Sequence, residues 1–173
     1  MEQPNIRPLI SGSSLRSRVR ELGRQIRKDH GPVSITCICV LKGAFLFAAD
    51  LIREIDGDIR LEFVQLNGLQ SVDLESLKNI SIPHTSSIQG KYCLIVEDIV
   101  DTGHTLQTLI ESIKSHGPQS LRTVALLDKS SNRDLPIEAD YVGFSIPDEY
   151  VVGYGLDLQG RYTNLEYIAA YTP

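Results

Sequence analysis

Three observations predict an α/β fold built on a doubly wound, mostly parallel sheet. Two apolar runs, VSITCICVL (33–41) and YCLIVE (92–97), have the composition of strands covered on both faces. Each leads into a stretch of helical periodicity, AFLFAADLIREI (44–55) and HTLQTLIESIKSHG (104–117). Further short strand patterns follow, and strands that alternate with helices imply parallel crossover units.

Taken in order, the first element is a helix. Leu15, Val19, Leu22 and Ile26 recur at helical spacing, with Arg16, Arg20, Arg24 and Arg27 on other faces. Ser13 or Ser14 is the expected cap, and the arginine-rich face reads as solvated or paired. The strand at 33–41 passes through Lys42-Gly43 into the second helix. IRLEFV (59–64) alternates as a strand does, and the strand at 92–97 precedes a helix ended by Gly117. LRTVALL (121–127), DYVGFSI (140–146) and YVVGYG (150–155) complete the strands. The stretch from Asn67 to Gln89 is polar and weakly periodic. A long irregular piece in a compact domain suggests a functional flap, which we place at 65–90.

The chain has 173 residues, which suggests a single domain (1–173) on the rough prior of about 150 residues per domain. A net charge of −5 argues against a general nucleic-acid or anionic-membrane binder. No run approaches the ~20 apolar residues of a membrane span, and MEQPNIRPLISGSS lacks the layout of a secretory signal. Cys37, Cys39 and Cys93 all sit within apolar runs without metal-ligand spacing. They read as reduced thiols of a cytoplasmic protein.

The densest chemistry lies in VEDIVDTGHTL (96–106), where a buried strand ends in acids and a small-residue turn opens a helix. Open parallel sheets bind ligands beyond the carboxyl ends of their strands. Thr102, Gly103 and Thr105 there offer backbone N–H groups and hydroxyls at a helix N-terminus, a ready phosphate site. Glu97 and Asp98 are adjacent, so they face one point only if the strand bends. They suit the two hydroxyls of a ribose, or a metal and a hydroxyl. The competing structural reading is a helix cap by Asp101 or Thr102 with solvated acids nearby.

VEDIVDTGHTL resembles the 5-phosphoribosyl-1-pyrophosphate (PRPP) signature of type I phosphoribosyltransferases, and Asp101 resembles the hypoxanthine-guanine branch. LKGAFLFAADL (41–51), LLDKSSNR (126–133) and VGFSIPDEYVVGYGLD (142–157) are similar to other motifs of that family, in the same order. RVRELGRQI (18–26) fits its bacterial members. The resemblance implies the type I phosphoribosyltransferase fold with a small hood formed by the chain ends. It implies transfer of ribose 5-phosphate from PRPP to N9 of a 6-oxopurine, hypoxanthine or guanine, with Mg²⁺, in a homodimer or homotetramer.

The resemblance also implies residue roles. Asp101, Thr102, Gly103, His104 and Thr105 cradle the 5′-phosphate, while Glu97 and Asp98 address the ribose. Asp101 is in addition the acid/base at purine N7. Asp157, with Glu97 and Asp98, is linked to the metal. Lys129 donates to the 6-oxo group, Tyr150 stacks on the base, and the main chain of Val151 reads the 2-position. Lys42 and Gly43 match the pyrophosphate loop, where the family often has a cis peptide before the lysine. Arg133 matches an arginine of structural support.

Two departures stand out. Gly68-Leu69 falls where the family closes its lid with a Ser-Tyr pair, and the next tyrosine, Tyr92, belongs to a strand. Thr163 falls on a pyrophosphate-binding arginine, which Arg161 would replace if both lie on one face of a strand. His104 stands where the family has Lys, Asn or Ser, at a position where the backbone binds. The missing pair leaves an alternative expectation, a nucleotide- or PRPP-sensing homologue with weak turnover. A receiver-type signalling domain would explain the acids but not Lys129 or Tyr150.

Overall fold

The computed structural model of the chain describes residues 5–66, 80–81 and 85–172. Nine strands and three helices run in the order β1 (Asn5–Ile10), α1 (Gly12–His30), β2 (Ile35–Leu41), α2 (Phe45–Arg53), β3 (Ile59–Leu66), β4 (Ile80–Ser81), β5 (Tyr92–Val100), α3 (His104–Lys114), β6 (Ser120–Asp128), β7 (Tyr141–Ser145), β8 (Val151–Val152) and β9 (Ile168–Thr172). Strands β3, β2, β5, β6 and β7 pair in parallel in that order, and β4 adds an antiparallel edge. The doubly wound parallel sheet expected from the alternation is present. Its two faces divide the central residues by the pleat. Cys37, Cys39, Leu94 and Val96 pack with Leu15, Leu22, Phe47 and Leu51 of α1 and α2. Ile38, Val40, Cys93 and Ile95 pack with Leu106, Leu109 and Ile113 of α3. Strands buried on both sides have no polar alternation to show, which is why β2 and β5 read as unbroken apolar runs. The three cysteines are buried free thiols within these layers.

The chain ends form a separate antiparallel sheet, β1–β9–β8, in the place where the hood was expected. Neither β1 nor β9 is visible in the periodicity. β1 contains Pro8, and its register with β9 shifts between Pro8 and Ile10, the edge position where a strand tolerates proline. The expected strand at 150–155 shrinks to Val151–Val152, because Gly153 turns the chain away at φ 98°. Helix α1 starts earlier than the Ser13 or Ser14 expectation: Ser11 is the cap, its hydroxyl accepting from the Ser14 N–H at 3.1 Å. Of its arginines, Arg20 reaches Glu54 and Arg27 donates to the carbonyls of Gly31 and Val33. Among the described residues, no helix is long and apolar enough to cross a membrane.

Candidate active site

The carboxyl ends of β2 and β5 open into a cleft of about 450 Å³ lined by Lys42, Gly43, Glu97, Asp98, Asp101, Thr102, Gly103, Thr105 and Asp157. One wall of it is the start of α3. The residue before that helix is Gly103 at φ 97°, so neither Asp101 nor Thr102 is the cap. A side chain at 103 is also excluded by space, since a Cβ would lie 2.5 Å from Ile137 Cγ2. The turn is clamped from behind. Arg133 donates to the Asp101 carbonyl at 2.6 Å and pairs with Asp128, while the Asp134 N–H donates to the Thr102 carbonyl at 3.0 Å. Thr102, Gly103 and Thr105 line the cleft there; the first N–H groups of a helix have no helical partners, and its dipole favours an anion at that end. His104 turns to Asp134, 3.5 Å away.

Glu97 and Asp98 both line the cleft. The ladder between β2 and β5 ends at Cys39–Val96, while that between β5 and β6 runs on to Val100–Asp128. The acids therefore sit where β5 has lost one neighbour, and both reach the open side although β5 keeps its pairing with β6. Glu97 is buried, and its Oε2 has no partner. Burial, then the Asp98 carboxylate, holds Glu97 well above the usual carboxylate range. Burial also raises Asp98 to about 6, against the Ile99 N–H bonded to its Oδ1 at 2.8 Å and with Asp157 adding repulsion. Asp157 lines the same cleft from the hood side, its Oδ2 accepting from the Gly160 N–H.

Among the described residues, no three acidic, histidine or cysteine side chains gather closely enough to hold a metal alone. Mg²⁺ does not require such a cluster, since it is commonly bound through one or two carboxylates with the remaining positions left to water and substrate phosphate. A buried carboxylate oxygen without a partner, beside two further acids, fits such an ion.

Opposite these acids, the peptide Leu41–Lys42 is cis, as the family resemblance implied. Gly43 follows it against Asp98, where a Cβ would lie 1.6 Å from Asp98 Oδ2, so a side chain there requires the carboxylate or the loop to shift.

On the remaining side Lys129 is buried, not the exposed strand-end lysine that a structural reading would give. Its Nζ lies 3.5 Å from Asp101 Oδ2 and 3.5 Å from Asp148 Oδ1. The other Asp101 oxygen, Oδ1, is buried without a partner. Tyr150 is 51% exposed, where a core aromatic would be covered. Its hydroxyl donates to the Asp157 carbonyl at 3.0 Å, and its ring meets Tyr171 edge-on. Val151 is buried in the strand beside it, paired with Ala170.

One sequence expectation changes and another holds. Arg161 lies in a turn, bridged only to Leu158, with its guanidinium over the Tyr162 ring. The shared strand face that would let it replace an arginine at 163 does not exist. Tyr92 is in β5, where its hydroxyl accepts from Gln119, so it stays with the sheet. Gly68 and Leu69, and most of the 65–90 flap, lie outside the described residues. Asp148, Asp128 and Asp134 are site neighbours that the motif reading did not single out. Asp148 was legible only as an acid two residues before Tyr150.

Comparison with known proteins gives a consistent set. The phosphoribosyl transferase domain matches residues 11–159. The chain is 39% identical over 170 residues to a Staphylococcus aureus hypoxanthine-guanine phosphoribosyltransferase, covering 95% of this chain and 93% of that protein. It is 41% identical over 170 residues to the bifunctional protein TilS/HprT of Listeria innocua, covering 95% of this chain but 26% of that longer protein. A crystal structure of a Bacillus anthracis hypoxanthine-guanine phosphoribosyltransferase superposes with a TM-score of 0.87 at 41% identity, covering 97% of this chain and all of that one.

Proposed function

The chain belongs to the phosphoribosyl transferase family, in its hypoxanthine-guanine branch, and from this we propose that it performs purine salvage, transferring ribose 5-phosphate from PRPP to N9 of hypoxanthine or guanine. The observation that carries the reading is Asp101: it heads the phosphate turn, faces Lys129 at 3.5 Å, and keeps a buried oxygen without a partner. A carboxylate left so placed is set to accept a proton from a purine ring nitrogen.

In this reading the 5′-phosphate sits on the N–H groups of Thr102 to Thr105 at the start of α3, with His104 contributing its main chain. Glu97 and Asp98 receive the ribose hydroxyls. Glu97, Asp98 and Asp157 are the residues that would hold Mg²⁺, whose chemistry is to neutralise the diphosphate leaving group. Lys42 and the Gly43 main chain face that diphosphate across the cleft from the acids. The purine lies between Lys129, which donates to its 6-oxo group, and the Tyr150 ring, with the Val151 main chain at its 2-position. As the bond from C1′ to diphosphate breaks and N9 closes on C1′, Asp101 takes the proton from N7. Positioning and fixed charge supply the catalysis. Arg133 takes part by holding the Asp101 carbonyl.

Assembly as a homodimer or homotetramer belongs to the same proposal, and exposed Phe45, Leu61 and Phe63 offer apolar surface for it. Sedimentation equilibrium would measure the assembly. The deciding experiment for function is nucleotide synthesis from PRPP and Mg²⁺ with hypoxanthine, guanine, xanthine and adenine supplied separately. Formation of IMP or GMP is expected, with adenine a poor acceptor. No nucleotide from any 6-oxopurine would overturn the reading.

A further inference from the structure

The residues around the purine are not fixed to the phosphate and diphosphate elements by sequence neighbourhood. Tyr150, Val151 and Asp157 belong to the hood, whereas Lys42 and Gly43 lie between β2 and α2. A side-chain hydrogen bond crosses between the hood and α2. The Tyr154 hydroxyl donates to Asp50 Oδ2 at 2.5 Å, linking residues 104 apart in the chain. Asp50 lies on α2, whose first turn follows the Lys42-Gly43 loop directly. Arg53 pairs with the same carboxylate from one turn further along, which holds it in place.

The backbone around Tyr154 is built to make this contact. Tyr154 itself adopts φ 52°, a left-handed conformation rare for an aromatic residue, between Gly153 at φ 98° and Gly155 at φ 100°. Such a conformation persists where its surroundings hold it. Here the Tyr154 N–H donates to the Leu165 carbonyl at 2.9 Å and the Gly155 N–H to the Thr163 carbonyl at 3.0 Å. Gly155 lies against the loop so closely that a Cβ would stand 2.3 Å from the Gly43 carbonyl oxygen. The tyrosine ring packs against the main core, and its hydroxyl ends on α2.

We propose that Tyr154 and Asp50 form a positioning clasp, fixing the base-binding segment 150–157 in register with the Lys42-Gly43 loop. Neither residue touches the reacting atoms. With the clasp closed, Tyr150 and Asp157 keep one distance from the diphosphate loop, so purine and PRPP are held in line. Opening it leaves each half of the site formed and their relation loose. The proposal rests on the phosphoribosyltransferase reading of the site.

The test is Tyr154→Phe, which keeps the ring in its packing and removes only the hydroxyl. Steady-state kinetics with hypoxanthine and PRPP would be read together with thermal unfolding. kcat is expected to fall about tenfold, the effect of losing a hydrogen bond to a charged group, with both Michaelis constants little changed because each half of the site stays formed. Asp50→Asn retains an acceptor oxygen but not its charge, and should fall between the parent and Tyr154→Phe. Tyr154→Phe combined with Asp50→Asn should match Tyr154→Phe alone, since both act on one contact. A Tyr154→Phe protein with lowered Tm but parental kcat would overturn the clasp and leave a structural contact. A parent that makes no nucleotide would overturn the reading of the site and the clasp with it, and that result is seen before any substitution.

Discussion

Replacing Asp98 by Asn should make the ligand-free protein more stable, and only above a definite pH. Asp98 rises from 3.8 to about 6 because it is buried beside Asp157. Between those values the unfolded chain has released this proton while the folded chain keeps it. The folded state then binds more protons, so its stability falls as pH rises through the window and stays lower above it. A pKa difference of about two corresponds to roughly 3 kcal/mol at about 1.4 kcal/mol for each unit. Asp98 is only partly buried by exposed area, so screening by water reduces the expected effect to about 1–2 kcal/mol. Asn preserves the acceptor for the Ile99 N–H, which confines the change to charge. Relief of Glu97, whose carboxylate Asp98 also disfavours, acts in the same direction. The assay is urea unfolding of parent and variant at pH 4 and pH 7.5, without Mg²⁺ or substrate. The variant should gain about 1–2 kcal/mol at pH 7.5, equivalent to about 2–8 °C in Tm for a chain of this size. The gain should vanish near pH 4, and turnover should be lost. A parent as stable as the variant at pH 7.5, or a gain that is the same at both pH values, would refute the reasoning.

Three further substitutions probe the other walls. Asp101→Ala should lower kcat by about 10²–10⁴-fold with a much smaller loss of IMP affinity measured by calorimetry; turnover within about twofold of the parent would remove Asp101 from proton transfer. Lys129→Ala should raise the purine Michaelis constant and relax discrimination between hypoxanthine and adenine, because a site built to bond a polar group rejects a substrate that leaves it unpaired. Unchanged selectivity would mean another group reads the 6-position. Gly43→Ala places a methyl 1.6 Å from Asp98 Oδ2, so loop or carboxylate must move, and kcat/KM for PRPP should fall about 10²-fold. A parental value would show that Asp98 has room to retreat.

What was legible in the sequence was whatever a local pattern can carry. The five parallel strands and three helices announce themselves because burial on two faces, or on one stripe, repeats over each element. The turn before α3 was legible because Asp101 to Thr105 are contiguous. The hood strands were not. β1 and β9 lie at opposite ends of the chain, and their pairing leaves no signature within either segment, least of all around Pro8. The environment of Lys129 was hidden in the same way, since Asp101 is 28 residues away from it and the sequence does not say that they meet. The pairing of Lys129 with Asp148 likewise required the fold, although Asp148 stands close to Tyr150 in the chain.

The same division explains why the acids are tolerated. Taken alone, Glu97 and Asp98 at the end of an apolar strand are unfavourable, and their raised pKa values record that cost. Nothing in YCLIVED predicts how close the opposing wall will come. It is Gly43, having no side chain, that lets the Lys42 loop approach Asp98, and Gly155 that lets the hood approach Gly43. The cleft is thus narrow because two glycines from distant segments stack over the end of β5. A cavity of this kind concentrates uncompensated carboxylate where a polyhydroxyl and a cation would compensate it. The electrostatic strain of the free protein and the affinity we propose for a charged, Mg²⁺-bound substrate then have one cause, and relieving the first by Asp98→Asn should remove the second.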